Sequence, residues 1–493
     1  MLFSSYEYIL FLLPISFFVH FWLNKLKLTT LSKCWLVLAS LFFYAWYNVY
    51  YLPILLTSIF VNFGLGVTLS KDLPRNPKYS KKLILSIGII FNIALLGYYK
   101  YTDFLIENFS SLTGASIPLT HIVLPLALSF VTFQKIAYLV DSYKGKTKEY
   151  DFLTFSLFAS FFPQQIAGPI VHHAEMMPQF ASRWNLFKRH KNITLGLFIF
   201  SLGLFKKVMI ADTFAIWANS GFAHEGAFEF HYAWVTSLSY TFQLYFDFSG
   251  YTDMAIGSAL LFNIRLPINF NSPYKSLDIQ DFWRRWHMTL SRFLRDYVYI
   301  PLGGNRHGEL RTYLNLFLTF IIGGIWHGAS WMFVAWGALH GAALVVHRAW
   351  SRLGIKIPRV LAWLITFNFV NLAWVFFRAP NWDVAKRIFD GMFSISGAFT
   401  RNTASIPTMD LSKTGFMADY IIRYLDVQSA IYAIQIAAIL SALSICFLKN
   451  SSQYYIEGKQ LTWSKIAVGG AMAGIALAAS LTTTSTVFLY FNF

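Results

Sequence analysis

The stretch GGIWHGASW, residues 323–331, sets one imidazole, His327, between two tryptophan-bearing apolar runs. A neutral imidazole, with an unperturbed pKa of about 6.5, can take or give a proton near neutral pH and so act as a general base. Residues 317–346 around it are nearly all apolar. A polar group in hydrocarbon without a partner costs several kcal/mol, so His327 is a functional-site candidate. The competing reading is a histidine satisfied by a neighbouring helix. Gly323, Gly324 and Gly328 beside it weaken a helix but let another backbone or a thin ligand come close.

A second imidazole, His287, lies in NFNSPYKSLDIQDFWRRWHMTLSRFLRDYVYIPLGGNRHG, residues 269–308, the least membrane-like part of the middle of the chain. Helical period over 281–299 places Phe282, Trp283, Trp286, Leu290, Phe293 and Tyr297 in one arc, with Arg284, Arg285, Arg292 and Arg295 opposite. Such an amphipathic helix lies in the headgroup layer or lines a wet cavity. His287 falls on the border of the two faces, either looking into a cavity or merely bonding a carbonyl at the interface. Asp281 with Arg285, and Arg292 with Asp296, have the spacing of helical ion pairs.

The elements that must position these groups are membrane spans. Of 493 residues, 56% are hydrophobic, 19% aromatic and 13% charged, far from soluble composition. The clearest apolar runs are 8–23, 83–99, 193–217, 232–262 and 313–346, with more broken ones near 35–69, 117–140, 152–171, 359–377, 429–448 and 466–490. Together they predict an all-α polytopic membrane protein with about 11 transmembrane helices and additional re-entrant or interfacial ones. A single integral-membrane domain over 1–493 follows. The first run lacks a basic leader and a small-residue cleavage site, so it reads as a retained span.

A net charge of +17 is carried largely in short connectors, 71–82, 144–148, 183–191, 348–359 and 449–465. Those read as cytoplasmic loops facing anionic lipid headgroups, and no nucleic-acid partner is expected. The loop 391–426, poor in charge, reads as facing outward. Two cysteines, Cys34 and Cys446, predict neither a disulfide nor a metal site. The tail 481–493, LTTTSTVFLYFNF, is polar and then aromatic. It either forms an aromatic belt at the interface or turns back into an outer funnel.

With these residues in view, DFWRRWHMTLSRFLRDYVYIPLGG followed by GGIWHG resembles the signature region of the membrane-bound O-acyltransferases. It is most similar to the bacterial branch containing alginate O-acetylase, peptidoglycan O-acetyltransferase A and the teichoic acid D-alanyl transferase. LFSSYEYILFLLP, QQIAGPIVHHAEMMPQF and YFDFSGYTDMAIGSALLFNIRLPINFNSPY fit the same branch, so the resemblance runs from end to end.

The resemblance implies a ring of slanted helices around a central tunnel, in a bacterial inner membrane, joining a cytoplasmic donor pocket to an outer funnel. It implies a catalytic role for His327, with His287 as its companion. The tail resembles the end of the small partner of the D-alanyl transferase, which implies an acyl-carrying role for Tyr490. The expected activity is O-acetyl transfer from acetyl-CoA, with no tightly bound cofactor, to a cell-surface polysaccharide such as an alginate-like exopolysaccharide or peptidoglycan. A periplasmic SGNH-hydrolase-like acetyltransferase is an expected partner. Arg284, Arg285 and Arg292 are candidates for donor or lipid phosphates. Asp247, Asp253, Asn269 and Asn271 could orient the histidines or be structural. Two rival classes remain at this point, a glycan or lipid transporter and a non-enzymatic docking subunit. The first should show paired repeats, which are not found here, and the second would need neither histidine.

Overall fold

The computed structural model describes residues 1–71, 80–148, 151–166, 168–394, 427–458, 461–482 and Leu489. Tyr490 and most of the segments 391–426 and 481–493 lie outside the described residues. Among the described residues there is no strand, and the chain runs through helices α1 Glu7–Lys25, α2 Thr29–Ala45, α3 Val49–Ser70, α4 Lys81–Thr113, α5 Leu128–Tyr143, α6 Phe152–Ser160, α7 His173–Ala181, α8 His190–Ala223 and α9 Phe230–Leu261. They continue with α10 Ile279–Arg285, α11 Met288–Leu294, α12 Gly308–His327, α13 Trp331–Arg352, α14 Arg359–Arg378, α15 Trp382–Phe393, α16 Val427–Phe447, α17 Ser451–Glu457 and α18 Trp463–Thr482.

Seven helical segments are long and apolar enough to cross a membrane: α1, α3, α4, α8, α14, Ala430–Glu457 and Trp463–Leu481. The run 313–346 is not one span; it divides at Gly328 into α12 and α13. The run 35–69 likewise divides into α2 and α3.

Helix α9 is the axis of the molecule. From residue 233 nearly every side chain to Leu261 is buried. Neighbouring helices meet several of its polar groups: Ser237 and Thr241 donate to Asn371 Oδ1 at 3.1 and 2.7 Å, and Tyr8 donates to Ser258 at 2.8 Å. Against α9 lies α8, close enough that a Cβ on Gly203 would stand 2.5 Å from Gly250 O and one on Gly257 2.6 Å from Gly196 O. Backbone contact of this kind is the membrane substitute for a large apolar interface.

Beyond those glycines α8 widens into a π turn over Lys206–Ala211. Adjacent residues of an α-helix point about 100° apart, yet Lys206 reaches Asp253 and Lys207 reaches Asp247, both on α9 and both at 2.7 Å. The π turn is what lets two consecutive lysines serve one neighbouring helix.

Candidate functional site

Helices α12 and α13 form a tight hairpin with His327 at its closed end. A Cβ on Gly324 would run into Phe333 O, and one on Gly337 into Phe320 O, so the two helices meet backbone to backbone. Ser330 starts α13 by accepting from Met332 N–H at 3.2 Å. Helix α12 therefore ends at His327, inside the protein, with its last carbonyls open. Tyr101 Oη donates to Ile325 O at 2.6 Å, and Lys100 Nζ donates to Trp326 O at 2.6 Å and His327 O at 2.9 Å.

The His327 ring, in a residue 3% exposed, is held edge-on among Trp326, Trp336 and Phe377, with centroids at 4.9, 5.0 and 5.0 Å. Beside it is a cavity of ≈ 20 Å³ whose lining includes Lys100, Ser129, Phe130, Trp326 and His327. That is room for about one water, and a reacting oxygen is of that size. Lys100, His287 and His340 are its titratable neighbours.

His287 corrects the sequence reading. The expected single helix over 281–299 is broken: α10 ends at Arg285, His287 adopts left-handed φ 42° and ψ 54°, and α11 starts at Met288. The break is held by Asn269, whose carbonyl accepts from Met288 N–H at 3.0 Å and whose Oδ1 accepts from Thr289 Oγ1 at 2.6 Å. Phe282, Trp283, Trp286, Leu290 and Phe293 are all buried despite the break. His287 itself is fully buried, its ring 4.8 Å from Phe248 in a perpendicular contact and 6.3 Å from Phe130. Phe130 also touches Trp326 at 5.5 Å, so one ring bridges the environments of the two histidines.

The other candidates are dispersed. Asn269 supports the backbone that follows His287, and Asn271 N–H donates to Arg285 O, just ahead of it, at 3.0 Å. Asp247 and Asp253 pair with Lys207 and Lys206 rather than with either imidazole. Arg285 is paired with Asp281 at 2.9 Å, as expected. Arg292 is not paired with Asp296; it forks onto Glu175 at 2.5 and 3.1 Å, and Asp296 takes Arg295 instead. Arg284 is exposed, with no carboxylate partner among the described residues.

Three features were not anticipated. Lys100 reads in sequence as a basic residue closing the run 83–99, whereas α4 continues past it to Thr113. Tyr297 Oη donates to Asp141 Oδ2 at 2.8 Å and lies 3.1 Å from His172 Nδ1. From that cluster a run of rings, Tyr297, Phe293, Phe133 and Trp326, with successive centroids 4.9, 3.9 and 4.7 Å apart, leads to His327. His340, fully buried, accepts from Trp283 Nε1 at 3.2 Å. Among the described residues no group of three or more His, Cys, Asp or Glu side chains could hold a metal ion.

His327 and His287 thus sit, buried, at helix ends of a polytopic helical protein, and known proteins identify its class. The sequence pattern of the membrane-bound O-acyltransferase family matches residues 141–380. The chain is 48% identical to a peptidoglycan O-acetyltransferase of Helicobacter pylori over 100% of this chain and 98% of that one. It is 40% identical to a probable alginate O-acetylase AlgI of Pseudomonas aeruginosa over 80% and 75% of the two chains. Against a teichoic acid D-alanyltransferase of Streptococcus thermophilus the identity is 30%, over 51% and 68%. The chain belongs to the membrane-bound O-acyltransferase family. It is a multi-pass membrane enzyme that transfers an acyl group to a hydroxyl, and its bacterial relatives accord with an inner-membrane location.

Proposed function

We propose that this enzyme moves an acetyl group from cytoplasmic acetyl-CoA to hydroxyls of a cell-surface polysaccharide, peptidoglycan being favoured over an alginate-like polymer. The preference rests on the relative named for peptidoglycan, which aligns over the whole chain, whereas the one named for alginate aligns over 80% of it. The observation that carries the chemistry is the placement of His327 at a helix end, against a cavity large enough for one oxygen atom.

In the proposed step a nitrogen of the His327 ring takes the proton of the acceptor hydroxyl as its oxygen attacks the thioester carbonyl. The C–S bond then breaks and the leaving sulfur receives that proton, so atoms and charge balance and the imidazole is regenerated. His287, across Phe130, shapes the acceptor side. Arg284, Arg285 or Arg292 would serve the donor phosphates, with Arg284 the one whose guanidinium is least engaged.

The tail is proposed as a relay. Leu489 is buried, and its N–H donates to Asp247 Oδ2 at 2.9 Å. The next residue of α9, Phe248, carries the ring that touches His287. This supports a tail that enters the protein over one lying in an interfacial belt, and it favours Tyr490 as a carrier that passes the acetyl to a periplasmic SGNH-hydrolase-like partner. The test is CoA release from acetyl-CoA by the purified chain. His327→Ala is expected to lower it by about 100- to 10,000-fold while leaving the protein folded. Full activity in that variant would remove His327 from the mechanism.

A further inference from the structure

We propose that Lys100 is a positioning residue for His327, fixing the helix end from which the imidazole projects. The inference rests on the reading of His327 as the base and deepens it. A helix leaves its last carbonyls without partners, and burying them unmet is unfavourable. Ordinarily water or a following glycine turn meets them. Here α12 stops at His327 because the chain turns into α13, and the residue after it, Gly328, is extended at φ −163°.

The open carbonyls are met from α4. Tyr101 takes Ile325 O, and Lys100 takes both Trp326 O and His327 O. An ammonium has three protons. The third is directed to Ser129 Oγ at 3.4 Å. With two short bonds to the backbone of α12, Lys100 is turned toward the helix end. It acts through the backbone of residues 326 and 327.

Other lysines inside the fold have different tasks. Lys206 and Lys207 are consumed by carboxylates of α9. Lys135 lies against the rings of Phe155 and Phe158. Lys100 alone among these meets the candidate base, and it lines the same cavity. Packing holds the His327 ring from three sides, so the remaining freedom is in the backbone that carries it, and Lys100 removes that freedom.

Initial rates of CoA release from acetyl-CoA by the full-length purified chain test the proposal, with wild type, His327→Ala, Lys100→Met and Lys100→Arg compared. Lys100→Met is expected to lower kcat about 100-fold, the scale of a roughly 1 Å misplacement of a reacting group, with KM for the donor changed less than about threefold. Lys100→Arg, whose fork can still reach two carbonyls, is expected to recover about tenfold of that loss. If His327→Ala is fully active, the reading of the site fails and this inference fails with it. If His327→Ala is inactive while Lys100→Met keeps wild-type kcat, the inference alone is overturned. A rise in KM with kcat unchanged would make Lys100 a donor-binding group and also overturns it. Should Lys100→Met not purify as folded protein, Lys100→Gln and Tyr101→Phe replace it. Lowered kcat at constant KM in both supports the proposal, and wild-type kcat in either overturns it.

Discussion

His287 combines two properties that are rarely found together, a buried imidazole and a left-handed backbone. For an L-residue other than glycine that conformation costs about 1–2 kcal/mol, and the cost is borne at this one position in the RRWH stretch. The backbone and the ring can therefore be separated by mutation. His287→Gly is expected to be about 1 kcal/mol more stable than His287→Ala, read by thermal unfolding in detergent, with both variants severely impaired in acetyl transfer. Equal stability would mean that the turn is not strained. At the tail, Tyr490→Phe changes a single oxygen and keeps the aromatic bulk. Loss of glycan acetylation in that variant, together with an acetyl on Tyr490 found by mass spectrometry when acceptor is withheld, is the outcome expected of a relay. Wild-type glycan acetylation would make direct transfer the better account.

At the scale of elements the α12–α13 hairpin is clasped at both ends. Opposite the His327 turn, Arg348 forks onto Glu309 at 2.9 and 3.0 Å, with Arg352 on the same carboxylate. The hydrogen bond from Arg348 holds the Glu309 carboxyl below its usual range. A depressed carboxylate contributes stability that is present above its unfolded pKa of about 4.3 and is lost as pH falls through the lower folded value. Glu309→Gln should therefore lower the melting temperature near pH 7 and converge with wild type below about pH 4. A difference that persists in acid would assign the effect to packing.

Much of this level was legible in the sequence. The run 232–262 predicted α9 to within two residues, and the WHG and RRWH motifs pointed to the two imidazoles. The break at His287 was not legible, because RRWHMT contains neither glycine nor proline, and the signal for it lies in Asn269, eighteen residues earlier in the chain. Lys100 was missed because a lysine after an apolar run looks like a side chain reaching for the headgroups. Its target is a carbonyl 227 residues away, and tertiary contacts of that kind leave no local pattern.

For the molecule as a whole the first question is sidedness, which the Lys and Arg excess in short connectors predicts. With single cysteines introduced at Lys146 and Ser405, an impermeant thiol reagent applied to intact cells should label position 405 and spare position 146. The reverse pattern would invert the topology and move the donor to the other face. The second question is assembly. Tyr6, just ahead of α1, donates to Leu477 O of α18 at 2.8 Å and lies 2.7 Å from Ser480 Oγ. A helix is thus completed by one more than four hundred residues later in the chain. During synthesis α1 lacks that contact until more than four hundred and fifty further residues are added. A nascent chain stalled before Trp463 would be inserted but unfinished at its beginning as well as its end, and membrane quality control could recognise it from either.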